Sequence, residues 1–299
     1  MEWKYKGVRV KRTEESRLWS HFSGLRPSCS LWICAWVQWW PSPIRSSFPR
    51  DRLLSDRVAG KFYVKGEQRA ERVQDLFAEV APRYDLINDL QSLGLHRLWK
   101  RRLLRLSAIR PGEHALDLCC GTGDIALALR ARGAEVVGVD FSAPMLDVAR
   151  QRASRDPVSK AVTFEQGDAL RLRFPDESFD VVTISYGLRN LADIPRGLSE
   201  MHRVLRPGGR LLILDFGKPE WPPLRWLYFQ YLARLVPVFG RLFFGDADTH
   251  GYILDSLRDY PAQRGVDALL RRLGFESTQT FNLLGGIMGL HVARKPPPS

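Results

Sequence analysis

The 299-residue sequence has no apolar run long enough to cross a bilayer, few cysteines and, from Ser16 to Arg50, no acidic residue. A spanning helix needs about 20 consecutive apolar residues; the candidate near the start, Leu31 to Trp40, is short and holds Gln38. Four cysteines, at 29, 34, 119 and 120, are too few for a disulfide scaffold. The neighbours Cys119 and Cys120 cannot bridge without strain, which fits a reducing compartment. No further Cys or suitably spaced His stands near them, so they read as small packing residues and no metal site is expected. Methionine is also scarce: after Met1 the next is Met145, so any later start needs a non-Met codon, such as Val58 or Val64.

What is present suits a packed domain. An apolar share of 44% with 11% aromatics excludes a mainly disordered, collagen-like or solenoid chain. The net charge of +12 invites a polyanionic partner, but its distribution matters more than its sum. The first 66 positions hold 13 basic and 5 acidic residues, whereas the remainder holds 32 and 28. Residues 1–65 also carry six of the nine tryptophans, all within the first 40 positions. Their Arg- and Ser-rich, acid-poor composition is that of an organelle transit peptide; the preferred reading is translated upstream sequence or an unstructured tail. The expected domain boundary falls between 65 and 66.

From Glu67 to Arg105 apolar residues recur at helical spacing, with Pro82 as a break, so two or more helices precede the main fold. The pattern then alternates. Strands are expected at His114–Cys119, Glu135–Asp140, Ala161–Gln166, Phe179–Ser185 and Arg210–Phe216, the last after a tight turn at Arg206–Gly209. Helices are expected at Asp124–Arg132, Pro144–Arg155 and Pro195–Leu205. Pro219 to about Asp248 interrupts this order, before a helix near Ala262–Leu273 and strands around Phe275–Asn282 and Met288–Arg294. Strand–helix alternation implies one α/β domain with a mostly parallel sheet of seven strands and helices on both faces.

The segment Leu116-Asp117-Leu118-Cys119-Cys120-Gly121-Thr122-Gly123-Asp124 runs from a strand through glycines into a helix. A bare backbone allows the sharp turn and the close approach of a ligand. Nineteen residues after Gly121, Asp140 ends the next strand, where a carboxylate can accept both hydroxyls of a ribose. A dinucleotide fits poorly: the glycine spacing differs, and Asp124 at the helix start would repel a pyrophosphate. S-adenosylmethionine, cationic and phosphate-free, suits the site better. Asp168 and Ala169, closing the third strand, face adenine, and Ser185 ends the fourth strand at the edge where open α/β sheets bind ligands.

The body resembles class I S-adenosylmethionine-dependent methyltransferases, with their Rossmann-like fold, and in particular the family that methylates ring carbons of menaquinone and ubiquinone precursors. The resemblance rests on Arg83-Tyr84-Asp85-Leu86-Ile87-Asn88-Asp89, Gly94-Leu95-His96-Arg97-Leu98-Trp99-Lys100-Arg101, the Asp117–Asp124 glycine turn, Val139–Leu146, Phe174–Asp180 and Thr183–Asn190. It runs from about residue 70 to the end and says nothing of residues 1–65. Cys119 stands where many methyltransferases have Gly. The resemblance implies cofactor contacts by Thr122, Asp140, Asp168, Ala169 and Ser185, beside Gly121 and Gly123 of the turn. It implies methylation of demethylmenaquinol, or of 2-methoxy-6-polyprenyl-1,4-benzoquinol in ubiquinone synthesis, or of both.

Ring carbon is a poor nucleophile unless the adjacent phenol is at least partly deprotonated. Arg189 and Asn190, just beyond the fourth strand, are the first catalytic candidates, the guanidinium to stabilise phenolate and the carboxamide to orient it. Tyr84, Asp85, Asn88 and His96 would close the site from the N-terminal helices, with His96 as proton acceptor. Asp124 and Asp180 read as a helix-start acid and a strand-edge residue. The aromatic insertion from Trp221 reads as a core helix, or as a prenyl channel or bilayer contact with Arg225, Arg234 and Arg241 toward headgroups. The expected partners are a prenylated quinol and a membrane surface; a homo-oligomer is left open. The expected location is cytoplasmic, at the inner face of the membrane. A nucleic-acid methyltransferase is disfavoured, because Ser185-Tyr186-Gly187-Leu188 replaces an Asn-Pro-Pro-aromatic motif and no basic stripe interleaved with stacking aromatics occurs. A nonenzymatic assembly subunit would need an emptied site, and each motif position is filled.

Overall fold

A computed structural model describes residues 84–238, 253–254, 256–257 and 259–297; the expected boundary at 65/66, the N-terminal extension, the break at Pro82 and Arg241 lie outside the described residues. The described helices begin with α1 (Tyr84–Ser92) and α2 (Leu95–Leu106). There follow β1 (His114–Leu118), α3 (Asp124–Arg130), β2 (Glu135–Asp140), α4 (Ala143–Ala153), β3 (Thr163–Gln166), β4 (Phe179–Ser185), α5 (Ile194–Val204) and β5 (Leu205–Phe216). After α6 (Pro222–Gln230) and a π-turn over Tyr231–Leu235 come α7 (Ala262–Arg272), β6 (Glu276–Leu283) and β7 (Met288–Arg294).

The strands form one seven-stranded sheet in the order β3-β2-β1-β4-β5-β7-β6. β3 to β5 are parallel, and β7 runs antiparallel to both neighbours. This is the α/β class expected, with the strand order reversing beside β1, where such sheets open a ligand crevice. The central strands are buried on both faces and read as continuous apolar runs: Leu211, Leu212, Ile213 and Leu214 of β5 are fully buried. Each such side chain contributes roughly 1.5–3 kcal/mol by leaving water.

Element ends differ from expectation where local chemistry overrides periodicity. β1 stops at Leu118, because Cys119 takes φ 50° and turns the chain. β5 begins at Leu205, not Arg210: Leu205 pairs with Phe179, and the Pro-Gly-Gly turn is absorbed as a register shift within the strand. α5 starts one residue early because the Asp193 carboxylate accepts the Arg196 N–H at 3.0 Å and Pro195 suits the first turn. β3 is shorter than expected, since residues Ser159–Ala161 form a 3₁₀ turn. No helix among the described residues is long and apolar enough to cross a membrane.

Candidate active site

The turn after β1 passes through left-handed backbone at Cys119 (φ 50°), Gly121 (φ 54°) and Gly123 (φ 85°). At Gly121 a side-chain carbon would meet nothing within 4 Å, so the backbone borders open space; at Gly123 it would stand 3.0 Å from the Phe164 ring. Asp140, at the end of β2, accepts the Gly121 N–H at 2.8 Å and the Ser142 N–H at 2.9 Å. Burial raises its carboxyl above the usual range, against the lowering effect of these N–H donors. Gly121 and Asp140, nineteen residues apart, are thus brought together.

The neighbouring charges were only partly anticipated. Thr122 is buried, and its hydroxyl accepts from the Arg152 guanidinium at 3.0 Å. Asp124 stands at the start of α3, as expected of a helix-start acid, and in addition binds Lys100 of α2 at 2.7 Å and Arg152 of α4 at 2.5 Å. Despite burial, these two cations hold its carboxyl down at about 2. Lys100 thereby docks α2 onto the glycine turn, with its ammonium 5.9 Å from the Tyr186 ring. Asp117, buried in β1, accepts the Thr183 hydroxyl at 2.7 Å and the Ala126 N–H at 3.1 Å. Burial raises it to about 7. Sequence reasoning quoted Lys100 and Asp117 only as parts of the resemblance and gave them no role, and it missed Arg152.

Asp168 is exposed and uses its carboxylate to accept the Leu170 N–H at 2.8 Å, while Ala169 is buried. Asp180 takes the His114 N–H at 2.9 Å and the Arg206 guanidinium at 2.7 Å, in keeping with a strand-edge role. Cys119 and Cys120 are enclosed, and burial pushes both thiols up.

β4 ends at Ser185, after which Tyr186 takes φ 63° and a 3₁₀ turn carries Leu188 to Asn190. This second turn touches the first: a side-chain carbon on Gly187 would overlap Cys119. Arg189 is buried and committed to protein partners. Its guanidinium meets Asp215 at 2.7 Å and the Tyr186 carbonyl at 2.6 Å, donates to Ser256 at 3.3 Å, and lies 4.6 Å over the Phe216 ring. Its own N–H donates to the second Asp215 oxygen at 3.0 Å. The charge offered on sequence grounds to a phenolate is therefore already matched by Asp215, a partner sequence reasoning did not find. Asn190 donates to the Tyr186 carbonyl at 3.5 Å.

Three buried polar atoms at this carboxyl edge have no hydrogen-bond partner among the described residues: Ser142 Oγ, Ser185 Oγ and Asn190 Oδ1. Unpaired polar atoms at the sheet edge that also carries the glycine turn fit a polar nucleoside such as S-adenosylmethionine.

His96 lies on the buried face of α2, its Nδ1 2.9 Å from the Ser92 hydroxyl and 3.7 Å from Asp89. Burial and the nearby Lys100 keep it below the usual imidazole range and so neutral. Tyr84 opens α1, but its side chain and that of Asp85 lie outside the described residues.

Comparison with known proteins accords with this geometry. Residues 64–295 match the model of the ubiE/COQ5 methyltransferase family. The chain belongs to that family. It is 44% identical over 236 residues to the ubiquinone/menaquinone biosynthesis C-methyltransferase UbiE of Ectopseudomonas mendocina, covering 78% of this chain and 92% of that protein. The protein of the same name from Paracoccus denitrificans is 42% identical over 230 residues, or 76% and 92% of the two chains. Among solved structures, Haemonchus contortus phosphoethanolamine N-methyltransferase 2 in complex with S-adenosyl-L-methionine superposes with a TM-score of 0.52 at 18% identity. That match covers 66% of this chain and 52% of that one, and it is a likeness of fold. The expected family and fold are thus both found.

Proposed function

We propose that this member of the ubiE/COQ5 family methylates a ring carbon of a prenylated quinol with S-adenosylmethionine, and that demethylmenaquinol is the acceptor. The observation that carries the reading is the set of unpaired buried polar atoms at the sheet edge that also carries the glycine turn. S-adenosylmethionine, when bound, supplies an electrophilic methyl group on a sulfonium. Gly121, Thr122 and Gly123 border its site, Asp140 would take the ribose, Asp168 and Ala169 the adenine, and Ser185 a polar group at the strand edge.

The chain's further task is to make ring carbon nucleophilic and hold it in line. Positioning and charge stabilisation in a site that excludes water supply this without a covalent intermediate. Asn190, with a free carbonyl oxygen, would accept a hydrogen bond from a quinol hydroxyl and orient the ring. Arg189, its charge matched by Asp215, holds rigid the turn that carries Asn190. His96, kept neutral by burial, is able to accept the proton released as the ring is methylated; Tyr84 would close the site from α1. The prenyl tail of the acceptor makes contact with a membrane surface part of this reading. The domain is proposed as residues 66–299, with residues 1–65 outside the catalytic unit.

The test uses labelled S-adenosylmethionine with reduced demethylmenaquinone, the reduced methoxy-polyprenyl benzoquinone and RNA as separate acceptors. Label in the naphthoquinol product supports the proposal. Label only in the benzoquinol moves the function to ubiquinone synthesis, and label only in RNA overturns it. The UbiE relatives carry both quinones in their name, so label in both acceptors would extend the reading to both.

A further inference from the structure

α2 has two faces. His96, Lys100, Leu103 and Leu104 point toward the domain, where Lys100 meets the glycine turn. Leu95, Leu98, Arg102 and Arg105 follow at the spacing of a single stripe on another side of the helix. That stripe lines a groove of about 850 Å³, closed opposite by Leu283 and Leu284 at the end of β6. Arg101 and Arg132 join it, so four arginines stand in one lining that contains no acidic residue.

All four arginines are exposed. Arg132 donates to the Ala128 carbonyl at 2.7 Å, and Arg102 lies 5.0 Å over the Phe281 ring. Among the described residues none of the four is in an ion pair, whereas other arginines of the domain, such as Arg203, Arg206, Arg210, Arg264 and Arg271, are paired with carboxylates. Other described arginines also lack an acid, but here four stand together in one groove without a carboxylate.

The rest of the lining is apolar apart from Asn282, and two of its leucines project outward. Leu98 is 54% exposed and Leu284 57%, and Leu93, just before α2 and outside the lining, is 88% exposed. Leu224 of α6 lies by Gly285, next to Leu284 of the lining, and the Tyr231 hydroxyl of the following π-turn donates to the Gln91 carbonyl of α1 at 3.1 Å. Trp226 and Leu227 of α6 are exposed as well. Exposed leucine and tryptophan beside unpaired arginines combine two affinities that meet at a bilayer boundary, acyl chains for the apolar groups and phosphates for the guanidiniums.

We propose that this groove is a binding site for the headgroups of anionic phospholipids, with the stripe of α2 resting on the bilayer. Arginines near such a surface are drawn to its negative charge, and a guanidinium suits the forked geometry of a phosphate. The inference rests on the proposed quinol acceptor, because a prenyl tail confines that acceptor to membranes. Docking α2 would place the helix that carries His96 and Lys100 against the surface from which the acceptor arrives.

The test compares the full chain with an Arg101→Glu/Arg105→Glu variant and, separately, a Leu98→Gln variant. Cosedimentation is measured with vesicles of phosphatidylcholine alone and of phosphatidylcholine with 30% phosphatidylglycerol, at about 0.15 M salt. Expected are preferential binding to the anionic vesicles, a loss of tenfold or more in the double variant, and a smaller loss in Leu98→Gln. Methylation of a short-chain, water-soluble quinol should be unchanged by the double substitution. If that acceptor is not methylated by either protein, the functional reading fails, while the vesicle measurement still decides the lipid site.

Equal binding to both vesicle types, or equal binding by parent and double variant, overturns the proposal. So does a change of oligomeric state in the variant on sedimentation velocity without loss of vesicle binding, which makes the groove an interface between copies. Loss of RNA binding with vesicle binding intact makes it a nucleic-acid surface, and displacement from vesicles by millimolar inorganic phosphate makes it a free-anion site; either outcome overturns the proposal.

Discussion

Two turns meet at the carboxyl edge of the sheet, and they are built in opposite ways. The turn after β1 keeps its backbone bare. Gly121 borders open space, and its N–H is held by the carboxylate of Asp140 from the next strand. The turn after β4 is filled by protein: Arg189 spends its guanidinium on Asp215, the Tyr186 carbonyl, Ser256 and the Phe216 ring. Both pass through left-handed backbone, at Gly121 and Gly123 in one and at Tyr186 in the other. Glycine accepts that conformation without strain, whereas Tyr186 is held in it by its surroundings. In the proposed function the first turn receives the cofactor, and the second stays rigid while presenting Ser185 and Asn190.

The sharpest break in this comparison is Arg189→Ala. Asp215 would be left buried without its partner, a change that costs about 3–5 kcal/mol when one member of a buried pair is removed. Denaturant unfolding should register that loss and turnover should vanish, while S-adenosylmethionine affinity, measured by calorimetry on the folded fraction, stays close to that of the parent. Normal turnover would remove Arg189 from the mechanism. The matching change in the first turn, Asp140→Ala, removes an acceptor from the Gly121 and Ser142 N–H groups. Hydrogen bonds to charged groups contribute about 1.5–3 kcal/mol, so affinity for S-adenosylmethionine should fall about tenfold or more. The two variants should therefore separate, one failing in turnover and the other in cofactor binding; a shared phenotype would erase the distinction.

The first turn was more legible than the second for a physical reason. Glycine spacing and an acid one strand later are local marks, because they serve backbone geometry and a ligand contact that short segments determine. Arg189 was visible, but its partner Asp215 lies 26 residues on, at the end of β5, and Ser256 lies 67 residues on. Such pairings depend on which strand neighbours which, a matter of topology. The same holds for Lys100, which meets Asp124 across 24 residues. Strand and helix order was readable throughout from periodicity. Ends were missed where one residue's backbone angle or cap decided them, as at Cys119 and Asp193.

Asp124 tests the charge network that ties α2 to the first turn. Its carboxyl is held at about 2 by Lys100 and Arg152, below its ordinary value of 3.8. A depressed carboxylate contributes stability that is complete above pH 4 and is lost as pH falls through about 2. From the shift, that contribution is about 2 kcal/mol. The parent should lose it between pH 4 and 2, and Asp124→Asn should lack that part of the slope while being less stable at pH 7. Thermal unfolding across this range measures both. Parallel curves for the two proteins would mean that the ion pairs do not hold α2 to the turn.

The smallest expected effect on the fold is Gly121→Ala. The methyl group would meet no neighbour within 4 Å, so the cost is that of the left-handed backbone alone, φ 54°, about 1 kcal/mol. The same methyl group projects into the space proposed for S-adenosylmethionine. The expected outcome is near-parental melting with a clear loss of cofactor affinity. Gly187→Ala, by contrast, would collide with Cys119 in the contact between the turns and should lower stability before it lowers affinity. If Gly121→Ala melts like the parent and also binds S-adenosylmethionine like the parent, the open space beside Gly121 is not where the cofactor lies, and the first turn loses its role as receiver.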